Sequence, residues 1–246
     1  SAQAAPMSEP NFTAVQAEEF GVAGSLSNAW ADFDNDGDMD FAVSIKGGEV
    51  RLYRNDAGKF VSVGQAMGLP VQGDEIRGLS WGDYDGDGYV DLLGGSNVSP
   101  IPSRSYVYRN VEAKMFVEVA ADIGLSTAGR WARQSNWVNF DNDGDLDLYA
   151  ANRTGANRLY VNSNGAFKAM AYQLGASDPR RTVGACWFDM DNDGDLDIFL
   201  TNQSGDSDAM WRNDITGFVD VAPELGMDET LRDLASGGVG CAVGDY

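Results

Sequence analysis

Along this chain, short runs of alternating apolar and polar residues are broken by clusters of Gly, Asn and Asp. Runs such as LDLYAAN (146–152) and LDIFLTN (196–202) are rich in β-branched and aromatic residues. That alternation and punctuation predict strands rather than helices. The runs fall into a recurring order. Trp30, Trp81, Trp137 and Trp187 each lie on a first strand, two residues ahead of an acidic loop. A second strand of the LDLYAAN kind follows each loop. A third appears as VRLYRND (50–56), SYVYRNV (105–111), NRLYVNS (157–163) and DAMWRND (208–214). A fourth opens with Phe, as FVSV (60–63), FVEV (116–119), FKAM (167–170) and FVDV (218–221), and an extra copy, FTAV, stands at 12–15.

Four short antiparallel strands recurring about every 50 residues are the signature of a β-propeller blade, since a β-solenoid usually has a much shorter period. The predicted fold is all-β, a propeller of four-stranded antiparallel blades. Its units run about 12–55, 60–110, 116–162 and 167–213, with a partial unit at 218–246, after a flexible segment at 1–10. The chain opens on a lone fourth strand and ends on a lone first strand, GVGCAVGDY (238–246), which carries the start of a fifth loop at Asp245. Four complete blades with partial ones leave open sheet edges. The expectation is a fragment of a larger propeller, with completion by a second copy as the alternative.

The acidic loops read DFDNDGDMD (32–40), DYDGDGYVD (83–91), NFDNDGDLD (139–147) and DMDNDGDLD (189–197). Oxygen donors recur at positions 1, 3, 5 and 9: Asp32, Asp34, Asp36, Asp40; Asp83, Asp85, Asp87, Asp91; Asn139, Asp141, Asp143, Asp147; Asp189, Asp191, Asp193, Asp197. Position 6 is always Gly (Gly37, Gly88, Gly144, Gly194), permitting a turn in which the position-7 carbonyl of Asp38, Tyr89, Asp145 or Asp195 faces inward. Hard oxygen ligands around a tight turn suit Ca²⁺ better than Mg²⁺, and Zn²⁺ or copper would want nitrogen and sulfur. About four Ca²⁺ ions are expected. An EF-hand is excluded, because position 12 is Val43, Gly94, Ala150 or Leu200 rather than a bidentate acid.

Charge sharpens this. The net charge is −21, and the four loops hold 18 of the 38 acidic residues. Nucleic acid and anionic membranes are unsuitable partners, and cations are natural ones. No apolar run approaches the roughly 18 residues of a membrane span. Histidine is absent, which removes the commonest general base and the Ser-His and Cys-His arrangements. The opening SAQAAP is read as a mature terminus after signal cleavage, or otherwise as an expression remnant ahead of Met7.

The DxDxDGxxD loop between the first two strands of such a unit resembles the FG-GAP/VCBS repeat. The W-x-DFDNDGDLDLY form, with LYRN and F-x-x-V-x-x-x-x-GL downstream, is similar to extracellular proteins of the ASPIC/UnbV and cartilage-acidic-protein type. The resemblance covers about residues 12–246. It implies a secreted or surface-exposed propeller, often seven-bladed, with calcium in the blade loops. Asn139 departs from the acidic pattern and predicts a weaker third loop.

Further residues frame the functional expectation. The tryptophans are read as inter-blade packing rather than sugar platforms. Cys186 and Cys241 differ by one residue in register, and two buried, unbridged cysteines are expected. N-x-S/T sequons begin at Asn11, Asn97, Asn152 and Asn202. Arg77, Arg130, Arg133, Arg180, Arg181 and Arg232 lie in fourth-to-first-strand connections, and Lys46, Arg104 and Arg153 on second-to-third ones. Both connections share the face opposite the calcium loops. Arg77, Arg130, Arg133, Arg153, Arg180 and Arg181 are the candidate ligand residues, suited to carboxylate or sulfate groups. Local pairing with Asp74, Glu75, Asp178 or Asp228 is the competing reading. The leading function is a calcium-stabilised extracellular module recognising a protein or an acidic polysaccharide. A polysaccharide-active lyase or dehydratase, and a structural unit self-associating through incomplete blades, are the alternatives. No catalytic residue is assigned.

Overall fold

The computed structural model describes residues 16–96, 105–125, 132–214 and 216–227, with 233, 235, 237, 238 and 240–243 beyond them. Sixteen strands form four antiparallel four-stranded sheets, each a meander in chain order. The first blade holds β1 (Ser25–Ala31), β2 (Asp40–Ile45), β3 (Glu49–Asp56) and β4 (Lys59–Ser62). The second holds β5 (Ile76–Gly82), β6 (Asp91–Ser96), β7 (Ser105–Val111) and β8 (Met115–Glu118). The third holds β9 (Ala132–Val138), β10 (Asp147–Asn152), β11 (Arg158–Ser163) and β12 (Ala166–Ala169). The fourth holds β13 (Thr182–Phe188), β14 (Asp197–Asn202), β15 (Ala209–Asn213) and β16 (Phe218–Asp220). These are the predicted propeller blades. Register recurs with them: Trp30 faces Phe41, Trp81 faces Leu92, Trp137 faces Leu148 and Trp187 faces Ile198.

The cores lie between blades. Every residue of β6 and of β10 is buried, because each second strand is covered on both faces by neighbouring sheets. That double covering is why these strands read as nearly continuous apolar runs. Each junction is aromatic. Phe33, at loop position 2, sits 6.5 Å from Trp81 and 6.0 Å from Phe116 of the next blade, centroid to centroid. Tyr84 repeats the arrangement with Trp137 at 6.0 Å and Phe167 at 5.8 Å. Phe140 meets Phe218 at 5.8 Å, and Phe218 meets Trp187 at 6.1 Å. The inter-blade role of the tryptophans is thus observed. Trp30 is the exception: at the leading face it is 53% exposed, and Phe20 of the short helix α1 (Ala17–Phe20) packs beside it on Phe41 and Phe60.

The glycine after the fourth strand of each of the first three blades, Gly68, Gly124 and Gly175, has a packing reason. Gly124 has φ +87°, and a Cβ there would lie 2.5 Å from the carbonyl oxygen of Phe167. The close approach lets Phe167 N–H donate to the Ile123 carbonyl at 2.8 Å, and Phe116 to Met67 and Phe218 to Leu174 do the same. Successive blades are therefore stitched by backbone as well as by rings.

Two expectations need correction. Cys186 and Cys241 are bridged, with Cα atoms 6.0 Å apart. The register argument assumed two regular strands, yet among the described residues of the fifth repeat only an isolated Gln203–Gly237 bridge forms. Gly237 and Gly238 lie directly against the end of β14, where a Cβ on Gly238 would meet Thr201 Cβ at 2.5 Å, and this close path brings Cys241 to Cys186. The lone strand at 238–246 is therefore an irregular strap over its described part. The sequons at Asn152 and Asn202 fall on buried asparagines, Nδ2 of which donates to Ala156 O and Ser207 O; those at Asn11 and Asn97, like FTAV, lie outside the described residues.

Candidate metal centre

Each acidic loop joins the first strand of a blade to the second and is wound by its own aspartates. Asp32 at position 1 accepts from the backbone N–H of Asp36 and Gly37 at 3.1 and 2.9 Å. Asp83 does so from Asp87 and Gly88, and Asp189 from Asp193 and Gly194. The position-5 carboxylates of Asp36, Asp87, Asp143 and Asp193 accept from the position-7 N–H at 2.8 to 3.0 Å. Two left-handed residues make the turn: the predicted glycine at position 6, such as Gly37 at φ +94°, and position 4, where Asn35, Asn142 and Asn192 stand near +60° and Gly86 at +70°. Asn tolerates that region better than other side chains, which is why N/G recurs there.

The winding concentrates oxygen. One oxygen each of Asp32, Asp34 and Asp36 lies within 4.8 Å of the others, as do oxygens of Asp83, Asp85 and Asp91 and of Asp189, Asp191 and Asp197. The third loop, with Asn139 at position 1, forms no such three-carboxylate group among the described residues. Asp34 Oδ1 and Asn139 Oδ1 are buried without hydrogen-bond partners, an arrangement a hard cation would complete. Burial, then the neighbouring Asp36, raises the Asp34 carboxyl above its usual range; burial and Asp87 do the same to Asp85, and burial raises Asp141. The donor set, all oxygen and rich in charge, fits Ca²⁺.

Position 9 has a structural role. Asp40, Asp91, Asp147 and Asp197 are completely buried. Each accepts on one oxygen from the position-2 N–H of its loop and on the other from the N–H of a third-strand asparagine, for example Phe140 at 3.3 Å and Asn162 at 2.8 Å for Asp147. Burial pushes Asp40 up to about 6 and Asp91 and Asp147 to about 7, only partly offset by those N–H bonds. The same asparagines clamp adjacent blades. Asn110, Asn162 and Asn213 each donate from Nδ2 to the position-8 carbonyl of their own loop and to the position-2 carbonyl of the preceding one. Sequence reasoning missed this role, although an Asn stands at that place in all four repeats.

At position 7, the side chains of Asp38 and Asp145 turn away to accept from Ala57 N–H and Asn164 N–H in the hairpin between third and fourth strands. Asp195 instead accepts from Asn142 of the preceding loop at 3.0 Å. Tyr89 brings no carboxylate to this position.

The arginines divide. Arg180 is a brace, paired with Asp178 at 2.7 Å and Asp220 at 2.6 Å, and Arg181 donates to Ser204 O and lies 3.9 Å from Asp206. Arg77 pairs with Glu75 at 2.8 Å. Arg133 is held below its usual pKa by burial and by the nearby charges of Arg153 and Arg77, so these three converge at the ends of adjoining strands. Arg130 lies outside the described residues, as do Arg104 and Arg232. Arg109, unremarked in the sequence, reaches the second loop, with Nε 2.7 Å from Asp85 Oδ2 and Nη2 3.2 Å from Asp87 Oδ2.

Comparison with known proteins agrees with this geometry. The profile of the FG-GAP-like repeat matches residues 32–94 and 139–200, each span running from one acidic loop into the second strand of the following blade. No curated protein matches the chain significantly. Among the described residues no helix is long and apolar enough to cross a membrane. With its loops, blades and profile in register, the chain belongs to the FG-GAP-like repeat family.

Proposed function

We propose that the protein is a calcium-binding extracellular propeller module for recognition, in which the ions hold the blade loops in shape. The observation that carries the reading is the convergence of three carboxylate oxygens within 4.8 Å in each of three loops. Two carboxylates about 4 Å apart repel by several kcal/mol at an effective dielectric of about 20. Filling such a site removes that repulsion, so calcium belongs to the folded state. The disulfide suits an oxidising compartment. For the partner, the Arg77, Arg133 and Arg153 cluster suits an acidic polysaccharide or an acidic protein loop, whose anions would relieve the mutual repulsion around Arg133.

Native mass spectrometry with and without a chelator, paired with thermal melting, tests the calcium reading. About four calcium-sized adducts and a melting temperature that falls on chelation are expected. At free calcium ten times Kd, four independent sites contribute roughly 5–6 kcal/mol. A protein that stays equally stable and metal-free at millimolar calcium refutes it.

A further inference from the structure

The four loops share one plan, but among the described residues only the second carries a guanidinium on its position-3 and position-5 carboxylates, and the sequence explains why. In the first and fourth blades the equivalent arginine has a carboxylate two residues on along its own strand. Arg54 forks onto Asp56 at 2.7 and 3.2 Å, and Arg212 onto Asp214 at 2.8 and 3.2 Å. In the third blade the position is Val161. In the second blade Val111 stands where Asp56 and Asp214 stand, and Tyr89 replaces the position-7 aspartate of the other loops. Deprived of a strand partner, Arg109 turns into the loop.

The atoms it takes matter. The winding bonds of the loop use Oδ1 of Asp87, which accepts from Tyr89 N–H at 3.0 Å, and Oδ1 of Asp85, which accepts from Asp87 N–H at 3.4 Å. Arg109 engages Oδ2 of both, the oxygens left over for a cation. In the first loop the position-3 residue Asp34 keeps a buried oxygen unpartnered. We propose that Arg109 is a tethered cation competing with calcium for Asp85 and Asp87, making the second loop the weakest of the three carboxylate-rich sites and the last of those three to fill. This rests on the calcium reading above. The loop stays compensated when calcium is scarce, and Arg109 must swing out before Asp85 and Asp87 can close on an ion.

The test is calorimetric titration of the whole chain with calcium chloride, the second-loop step being identified as the one that Asp85→Ala abolishes. Arg109→Gln should strengthen that step by roughly three- to tenfold, as expected for giving up a half-exposed charge-assisted pair. Val111→Asp, which restores the strand partner of the first and fourth blades, should strengthen it while keeping the arginine, and Val111→Asn should not. Val111→Asp also decides the matter should Arg109→Gln fail to fold. An unchanged or weakened second-loop step in Arg109→Gln or Val111→Asp, with the other steps present, overturns the competition and leaves the calcium reading standing. No calcium binding by the wild-type chain overturns both.

Discussion

Asn162→Ala cuts one inter-blade clamp and leaves the rest of the fold in place. In the wild type, Asn162 Nδ2 donates to Tyr84 O at 2.8 Å in the preceding loop and to Leu146 O at 3.0 Å in its own. Its Oδ1 accepts from Gly165 N–H at 2.8 Å. Truncation orphans all three. A buried group left unmet costs about 1–3 kcal/mol. Tyr84 O is buried, whereas Leu146 O and Gly165 N–H lie where water can partly replace the lost partner. The expected loss is therefore about 4 kcal/mol, with one contact near the middle of the roughly 1–3 kcal/mol range and two near its floor. The repeat supplies the control. Asn55 occupies the same motif position, but donates only to Met39 O at 3.1 Å and accepts from Gly58 N–H at 2.7 Å, both exposed. Asn55→Ala should cost about 1 kcal/mol or less, as surface hydrogen bonds do. Urea denaturation in saturating calcium, followed by tryptophan fluorescence, reads both, because Trp137 lies in the junction that Asn162 clamps and the unfolding of the whole chain is followed in either variant. Equal losses in the two variants would refute the argument, since the cost would then arise within the hairpin rather than between blades.

Other outcomes follow from the same geometry. Asn139→Asp should raise the calcium affinity of the third loop by roughly tenfold, one added charge beside a divalent ion being worth that order of effect; calorimetry showing no change would remove Asn139 from the ligand set. In calcium-stripped buffer the protein should melt at a lower temperature at pH 7.5 than at pH 5. Asp40, near 6, and Asp91 and Asp147, near 7, keep protons in the folded state that the unfolded chain releases near pH 4, so stability is lost as pH rises through 6 to 7. A flat or rising profile contradicts the burial of these carboxyls. Cys241→Ser should free the strap, raising hydrogen exchange in β13 and β14 beside it while blades one to three stay protected. Loss of protection throughout would mean that the disulfide supports the whole array.

Much of this architecture was legible because repetition separates signal from accident. One DxDxDG loop is a moderate clue, but four at matching places beside four tryptophans make strand order and blade length legible together. What stayed hidden involves residues whose partners belong to another blade. Asn110, Asn162 and Asn213 look like ordinary hairpin asparagines until Phe33, Tyr84 and Phe140 of the preceding loops are in place. The aromatic at loop position 2 was hidden for the same reason. Cys186 and Cys241 were misjudged because face alternation holds only in a regular strand, and the glycines at 237, 238 and 240 let the last segment leave that geometry.

The missed residues also change what the loops are. Position 9 was read as a calcium ligand, yet Asp147 ties its own loop through Phe140 N–H to a third strand through Asn162 N–H. Asn162 in turn grips the loop of the blade before. Winding of one loop is thus mechanically continuous with the junction to its neighbour, through two buried residues. Asn35 and Asn142 add direct bonds to the next loop, at Gly88 O and at Gly194 O with Asp195. Gly86 holds the corresponding place in the second loop and has no side chain to reach the third. A cation that firms one loop therefore firms a junction as well, and stability in this array is transmitted between neighbours rather than summed over independent blades.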